Sequence, residues 1–153
     1  IEEGIIQLTL PKMRFEITDN EGVTYINDAY NANPTSMRAA FEGVSAIKVK
    51  GKKIAVLGEM ASLGSFSEEC HREIGELASS IFDHLLAIGS EAMPLFESFQ
   101  HSQKPAEFFL DHASLAQRLQ VLARPGDLVL VKGSRSIELE KIFILDTDVT
   151  VAH

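Results

Sequence analysis

The sequence predicts a three-layer α/β domain, a Rossmann-like and mostly parallel sheet entered through an N-terminal β-hairpin. Three observations carry that prediction. Short apolar runs close on glycine, as in KIAVLG (53–58), HLLAIG (84–89) and DLVLVKGS (127–134). Between them lie stretches whose apolar residues recur every three or four positions. Strands and helices alternating at these lengths imply βαβ crossovers, which cover both faces of a parallel sheet. The chain has 153 residues, 45% of them apolar, which is one domain's length with enough material for a core.

The elements follow in order. FEIT (15–18) and VTYIND (23–28) flank Asp19-Asn20-Glu21-Gly22, a turn cluster that predicts a hairpin. Asn33 suits the cap of a helix opened by Pro34, with Met37, Ala40, Phe41, Val44 and Ile47 on one face. After the strand at 53–58, a helix is predicted over 67–82, capped by Ser67, with Ile74, Leu77, Ala78 and Ile81 inward. A short helix over 91–99 starts or kinks at Pro94. AEFFLD (106–111) reads as a strand, and 112–123 as a helix with Leu115, Leu119 and Leu122 inward. Arg124-Pro125-Gly126-Asp127 turns the chain into its last strand, and SIELEKIF (136–143) is expected to be helical. Met37, Phe41, Phe108 and Phe109 are assigned to the core. Residues 1–13 are expected to be an interdomain linker remnant, 14–145 the domain and 146–153 a tail, so that the chain reads as a piece of a longer protein.

Composition narrows the function. A net charge of −8 argues against a general nucleic-acid or membrane-surface partner, because phosphates would be repelled. The single cysteine, Cys70, excludes an internal disulfide and a cysteine-based zinc cage. That suits a reducing compartment. No run approaches the ~18 apolar residues of a membrane span.

Several familiar motifs fail. GEMASLGS (58–65) has five residues rather than four between its glycines and no following lysine, so it is not a phosphate-binding P-loop. No GxGxxG follows a strand. Asp28-Ala29-Tyr30 lacks the second carboxylate of an aspartate-nucleophile phosphatase, and Asp146-Thr147-Asp148 falls in the tail. Lys132-Gly133-Ser134-Arg135-Ser136 is more informative. A Gly-Ser turn leading into a helix, flanked by two cations, would make an anion site; the plainer reading is a helix cap with both cations solvated. Glu59 and His71 are ambiguous, since a helical histidine beside Glu68 and Glu69 is usually a surface residue. Arg14 reads as an exposed linker residue. Asp28 to Asn33, Gly58-Glu59, Gly89 and Lys132 to Arg135 all fall at the carboxyl ends of predicted strands, where ligands gather.

Taken in order, DAYNANPTSMRAAF (28–41), KIAVLGEMASLG (53–64), His71 followed by Gly75, and GDLVLVKGSRSIELE (126–140) resemble the C-terminal domain of the Mur ligases. The similarity is nearest to the branch that adds D-Ala-D-Ala, and it runs from about Arg14 to Glu140. It implies an ATP-dependent amide ligase of the bacterial cytoplasm, acting in peptidoglycan precursor synthesis. Such an enzyme joins D-Ala-D-Ala to UDP-N-acetylmuramoyl-tripeptide through an acyl phosphate. The P-loop and Mg²⁺ would lie on a central domain and the UDP-sugar on an N-terminal one, so this domain alone should be inactive and hold no metal.

The resemblance also implies roles. Arg14, Asp28, Tyr30, Asn31 and Asn33 match positions facing ATP, with Asp28 on the ribose hydroxyls and Asn33 doubling as a helix cap. Lys132 and Arg135 match the segment facing the acyl phosphate or the dipeptide carboxylate. Glu59, His71 and Ser134 match substrate-side positions. Ala61-Ser62 and Ile137 depart from the branch's usual residues without touching a charged position. Two other readings stay open: a stand-alone module binding a small anion, and another ligase of the superfamily, of the folylpolyglutamate or cyanophycin synthetase type.

Overall fold

The computed structural model describes residues 14–143; the linker expected over 1–13 and the tail over 146–153 lie outside them. Six strands form one sheet: β1 (Glu16–Asn20), β2 (Val23–Asn27), β3 (Lys53–Gly58), β4 (His84–Ile88), β5 (Ala106–Phe109) and β6 (Leu128–Lys132). Their spatial order is β1-β2-β6-β3-β4-β5. β1 pairs with β2 antiparallel, and the remaining pairings are parallel. Among the described residues four complete α-helices pack on it, α1 (Pro34–Ala46), α2 (Ser67–Ser79), α3 (Met93–Gln100) and α4 (His112–Leu122), and residues 141–143 are again helical.

Every residue of β4 and β6 is buried, and so is all of β3 after Lys53. Such strands read as continuous apolar runs because helices cover both of their faces. The side chains alternate as the pleat requires. Leu128 and Leu130 of β6 join the core beneath α1, α2 and α3, with Met37, Phe41, Ile74, Leu95 and Phe99. Val129 and Val131 join the core on the other face, with Leu115 and Leu119 of α4. The hairpin turns through Glu21 and Gly22, both at positive φ (54° and 86°), the mirror-image turn whose twist matches paired strands.

Two glycines are demanded by close approach. A Cβ on Gly75 of α2 would lie 2.2 Å from the Leu95 carbonyl oxygen, so only glycine lets α2 and α3 meet there. A Cβ on Gly51 would lie 2.1 Å from Asp127 Oδ1. That carboxylate, 4% exposed, ties the sheet's entry turns together by accepting the N–H groups of Lys52 at 2.8 Å and Arg124 at 2.9 Å.

Four expectations need correction. Ser67 does not cap α2: the cap position is Phe66, without a side-chain bond, and Ser67 turns its hydroxyl to Glu91 instead. That helix also ends at Ser79, short of Phe82. SIELEKIF is not one helix, because a 3₁₀ turn over Arg135–Ile137 is stopped by Glu138 in the left-handed region, at φ 53°. Phe108 and Phe109 are half-buried rather than core, since β5 is an edge strand with neighbours on one side only.

Topology decides where a crevice opens. β6 lies between β2 and β3. The chain leaves β2 and β3 toward α1 and α2 on one face, but leaves β6 toward the opposite core, where Leu139 and Ile142 are buried. Connections diverging around one strand leave a gap at its carboxyl end.

Candidate functional site

A groove of about 420 Å³ opens at that gap, lined by Arg14, Phe15, Asp28, Tyr30, Asn31, Asn33, Ser36, Ala39, Ala40 and Lys132. Its volume falls in the range of small-molecule sites, about 300–1,000 Å³. All five positions expected to face ATP line it, together with Lys132.

β2 delivers Asp28, whose own N–H extends the ladder by donating to the Val131 carbonyl at 2.8 Å. Its carboxylate is shared. Oδ1 accepts the Phe15 N–H at 3.0 Å, and Oδ2 sits 2.9 Å from the Lys132 ammonium. The side chains of this pair are 13% and 3% exposed. Lys132 Nζ also donates to the Asn31 carbonyl at 2.9 Å. The Asn31 side chain folds back to accept the Ala32 N–H at 2.8 Å. Arg14 lies over the ring of Tyr30, 4.3 Å from its centroid, a stacked cation beside a half-open aromatic face. Asn33 and Ser36 cap α1 reciprocally: Asn33 Oδ1 accepts the Ser36 N–H at 2.8 Å, and Ser36 Oγ accepts the Asn33 N–H at 3.0 Å.

The other named positions sit apart from this groove. His71, expected at a helix surface or against substrate, is fully buried. Its Nε2 accepts the Met60 N–H at 2.9 Å, so the ring proton is on Nδ1, which donates to the Ser67 carbonyl at 2.7 Å. Ser67 Oγ donates to Glu91 Oε1 at 2.6 Å, and the Glu91 N–H donates to Glu59 Oε1 at 3.0 Å. Glu59, followed by Met60, closes the circuit. It also reaches β6, because its carbonyl accepts the Ser134 N–H at 2.8 Å. Ser134 is fully buried, its hydroxyl 2.8 Å from that of Ser136.

The turn after β6 is therefore partly committed to partners within the domain. The 3₁₀ turn there is three residues long, and the Ser134 N–H is already bonded. Arg135 is engaged by the carboxylate of Glu140 and reaches the Ala29 carbonyl at 3.4 Å. Among the described residues no group of three or more His, Cys, Asp or Glu side chains is placed to hold a metal.

Phe15, Ser36, Ala39 and Ala40 also line the groove, and the sequence marks none of them as a site residue. A small-residue pair on the groove side of α1 was legible in Ala39-Ala40. Phe15 was not, because its place depends on a left-handed backbone (φ 49°) and on a ring seated where Gly43 has no side chain.

Comparison with known proteins follows the same geometry. A family model described as Mur ligase, glutamate ligase domain, matches residues 13–135. The UDP-N-acetylmuramoyl-tripeptide–D-alanyl-D-alanine ligase of Bacillus subtilis is 36% identical over 144 residues, covering 92% of this chain and 32% of the relative. The structure of MurF ligase from Thermotoga maritima in complex with ADP is similar at a TM-score of 0.77 and 31% identity, covering 90% of this chain and 31% of that one. E. coli FolC in complex with ADP reaches 0.66 at 18% identity, covering 92% of this chain and 33% of that one, a likeness of fold alone. The chain spans about a third of the length of these proteins.

Proposed function

The chain belongs to the Mur ligase family through its glutamate ligase domain, and on that premise we propose that it is the C-terminal domain of an ATP-dependent ligase that joins D-Ala-D-Ala to UDP-N-acetylmuramoyl-tripeptide. The reaction builds a peptidoglycan precursor in the bacterial cytoplasm. ATP phosphorylates the tripeptide carboxylate, and the dipeptide amine displaces phosphate from the resulting acyl phosphate. On this reading magnesium and the triphosphate are held by other parts of the same polypeptide. This domain closes over them and keeps water from the hydrolysable intermediate.

The observation that carries the reading is the groove, where Arg14, Asp28, Tyr30, Asn31 and Asn33 converge beside β6. Its chemistry suits a nucleoside. The Asp28 carboxylate retains acceptor capacity for ribose hydroxyls, a stacked arginine and tyrosine offer a flat surface, and Arg14 is exposed. Glu59, His71 and Ser134 serve the second substrate indirectly, by fixing the wall beyond β3 and β6.

In the full-length protein, ADP release should require both the tripeptide substrate and D-Ala-D-Ala. Asp28→Ala should raise the KM for ATP by about tenfold, and Arg14→Ala should lower kcat/KM. Unchanged kinetics in both variants would remove these residues from the site. A stand-alone anion-binding module is disfavoured because Lys132 and Arg135 already face Asp28 and Glu140. Micromolar binding of ATP or D-Ala-D-Ala by this chain alone would restore it. A folylpolyglutamate-type activity is disfavoured by the 18% identity to FolC against 36% to the D-Ala-D-Ala ligase.

A further inference from the structure

Lys132 was expected beside the acyl phosphate or the dipeptide, but its surroundings argue for another task. Its ammonium, 3% exposed, lies 2.9 Å from Asp28 Oδ2 and donates at 2.9 Å to the Asn31 carbonyl. Two of its three N–H groups are therefore committed to the two ends of one short turn, residues 28–31. Asn31 stands 101 residues away in sequence, so β6 is stapled to the segment that leaves β2. A cation meant to receive an incoming anion needs spare donors in reach of solvent. This one is desolvated and already neutralised by a carboxylate.

Asp28 gains orientation from that arrangement. With Oδ1 accepting the Phe15 N–H and Oδ2 facing Lys132, the carboxylate plane is fixed from both sides. Each oxygen keeps one further lone-pair direction, and Asp28 lines the groove. Without the ammonium, a mostly buried carboxylate would lose its counter-charge and turn toward water. The Asn31 carbonyl would lose its partner too, and the turn that carries Tyr30 would loosen.

We propose that Lys132 is a positioning residue of the nucleotide groove: it sets Asp28 and the 28–31 turn for the ribose of ATP and does not touch the dipeptide. The proposal rests on the reading of this groove as the ATP-facing site. It splits Lys132 from Arg135, which lies in the turn beyond and is engaged by Glu140.

The test is steady-state kinetics on the full-length protein, with ATP, UDP-N-acetylmuramoyl-tripeptide and D-Ala-D-Ala each varied in turn. Lys132→Met keeps length and removes charge; Lys132→Gln, which keeps a neutral donor, serves if the first variant folds poorly. Either should raise the KM for ATP, by about tenfold for Met and less for Gln, with the KM for D-Ala-D-Ala unchanged. Combined with Asp28→Asn, Lys132→Met should cost no more than Asp28→Asn alone, since both act through one carboxylate. A raised dipeptide KM with normal ATP use, or independent multiplying effects, overturns the positioning role and leaves the ligase reading standing. If Asp28→Asn itself leaves ATP use untouched, the nucleotide reading of the groove fails, and the role of Lys132 fails with it.

Discussion

Two polar clusters sit at the carboxyl ends of the same sheet, and they differ in how far they are closed off from solvent. Beside β2 and β6, polar groups border an open groove, and the buried pair at its base keeps unused acceptor sites. Beside β3 and β4, the chain through Glu59, Met60, His71, Ser67 and Glu91 bonds to itself in a ring, and the histidine at its centre is fully buried. Both clusters are rich in residues that commonly bind ligands. What separates them is where the hydrogen bonds end. The Asp28–Lys132 pair borders open space, whereas the His71 ring is enclosed with both of its nitrogens bonded within the domain.

The comparison breaks most plainly at His71. His71→Leu leaves the Met60 N–H without its acceptor and removes the donor to the Ser67 carbonyl. An unmet buried donor costs about 1–3 kcal/mol, so urea denaturation should show a loss of about 2 kcal/mol or more. His71→Gln, which can return an acceptor near the Nε2 position, should recover part of it. The KM for ATP should stay close to that of the parent protein. A large rise in that KM without loss of stability would mean that the two clusters are one site.

Asn33 tests the boundary from the open side, since it lines the groove and caps α1 at once. Asn33→Ala should cost about 1 kcal/mol, the usual price of a lost N-cap. Asn33→Ser keeps a capping oxygen but not the amide. If Asn33 acts on the nucleotide mainly by holding α1, the serine variant should retain both stability and ATP use. Stability retained with ATP affinity lost would assign the amide itself to the ligand.

Much of this was legible in the sequence, and the physical reason is uneven. Buried parallel strands advertise themselves, because KIAVLG, HLLAIG and LVLVK carry a polar residue only at one end and are apolar on both faces between. The groove was legible as a list of residues, since DAYNANP concentrates hydrogen-bonding groups where a surface loop has no need of them. Partnership was not legible. Nothing in the sequence says that Lys132 belongs to Asp28 and Asn31, or that Ser67 turns away from capping toward Glu91, because those bonds join segments brought together only by strand order. The last segment misled for a related reason: SIELEKIF carries a helical pattern, but the chain is stopped at Glu138 while Leu139 and Ile142 drop into the core beneath α4.

A third cluster, on the far edge of the sheet, supplies the scale against which the buried pair is judged. Glu107 of β5 faces Arg118, whose Nε lies 2.9 and 2.8 Å from its two oxygens, and His84 Nε2 at 3.0 Å. Partial burial pushes the Glu107 carboxyl up, but the hydrogen bonds and charges of Arg118 and His84 outweigh it and hold it below the usual glutamate range. A lowered folded-state pKa means that the contribution is complete above the ordinary glutamate value and fades as acid carries the protein through the folded one. Because the Glu107 side chain is 34% exposed, solvent screens it, and Glu107→Gln should cost less than about 1 kcal/mol at neutral pH. Denaturation in acid should bring the variant and parent together, and added salt should narrow the gap at neutral pH. The Asp28–Lys132 pair, its side chains 13% and 3% exposed, should respond far less to salt. Equal salt sensitivity in the two pairs would mean that water reaches Lys132, and with it that the lysine has donors to spare for an incoming anion.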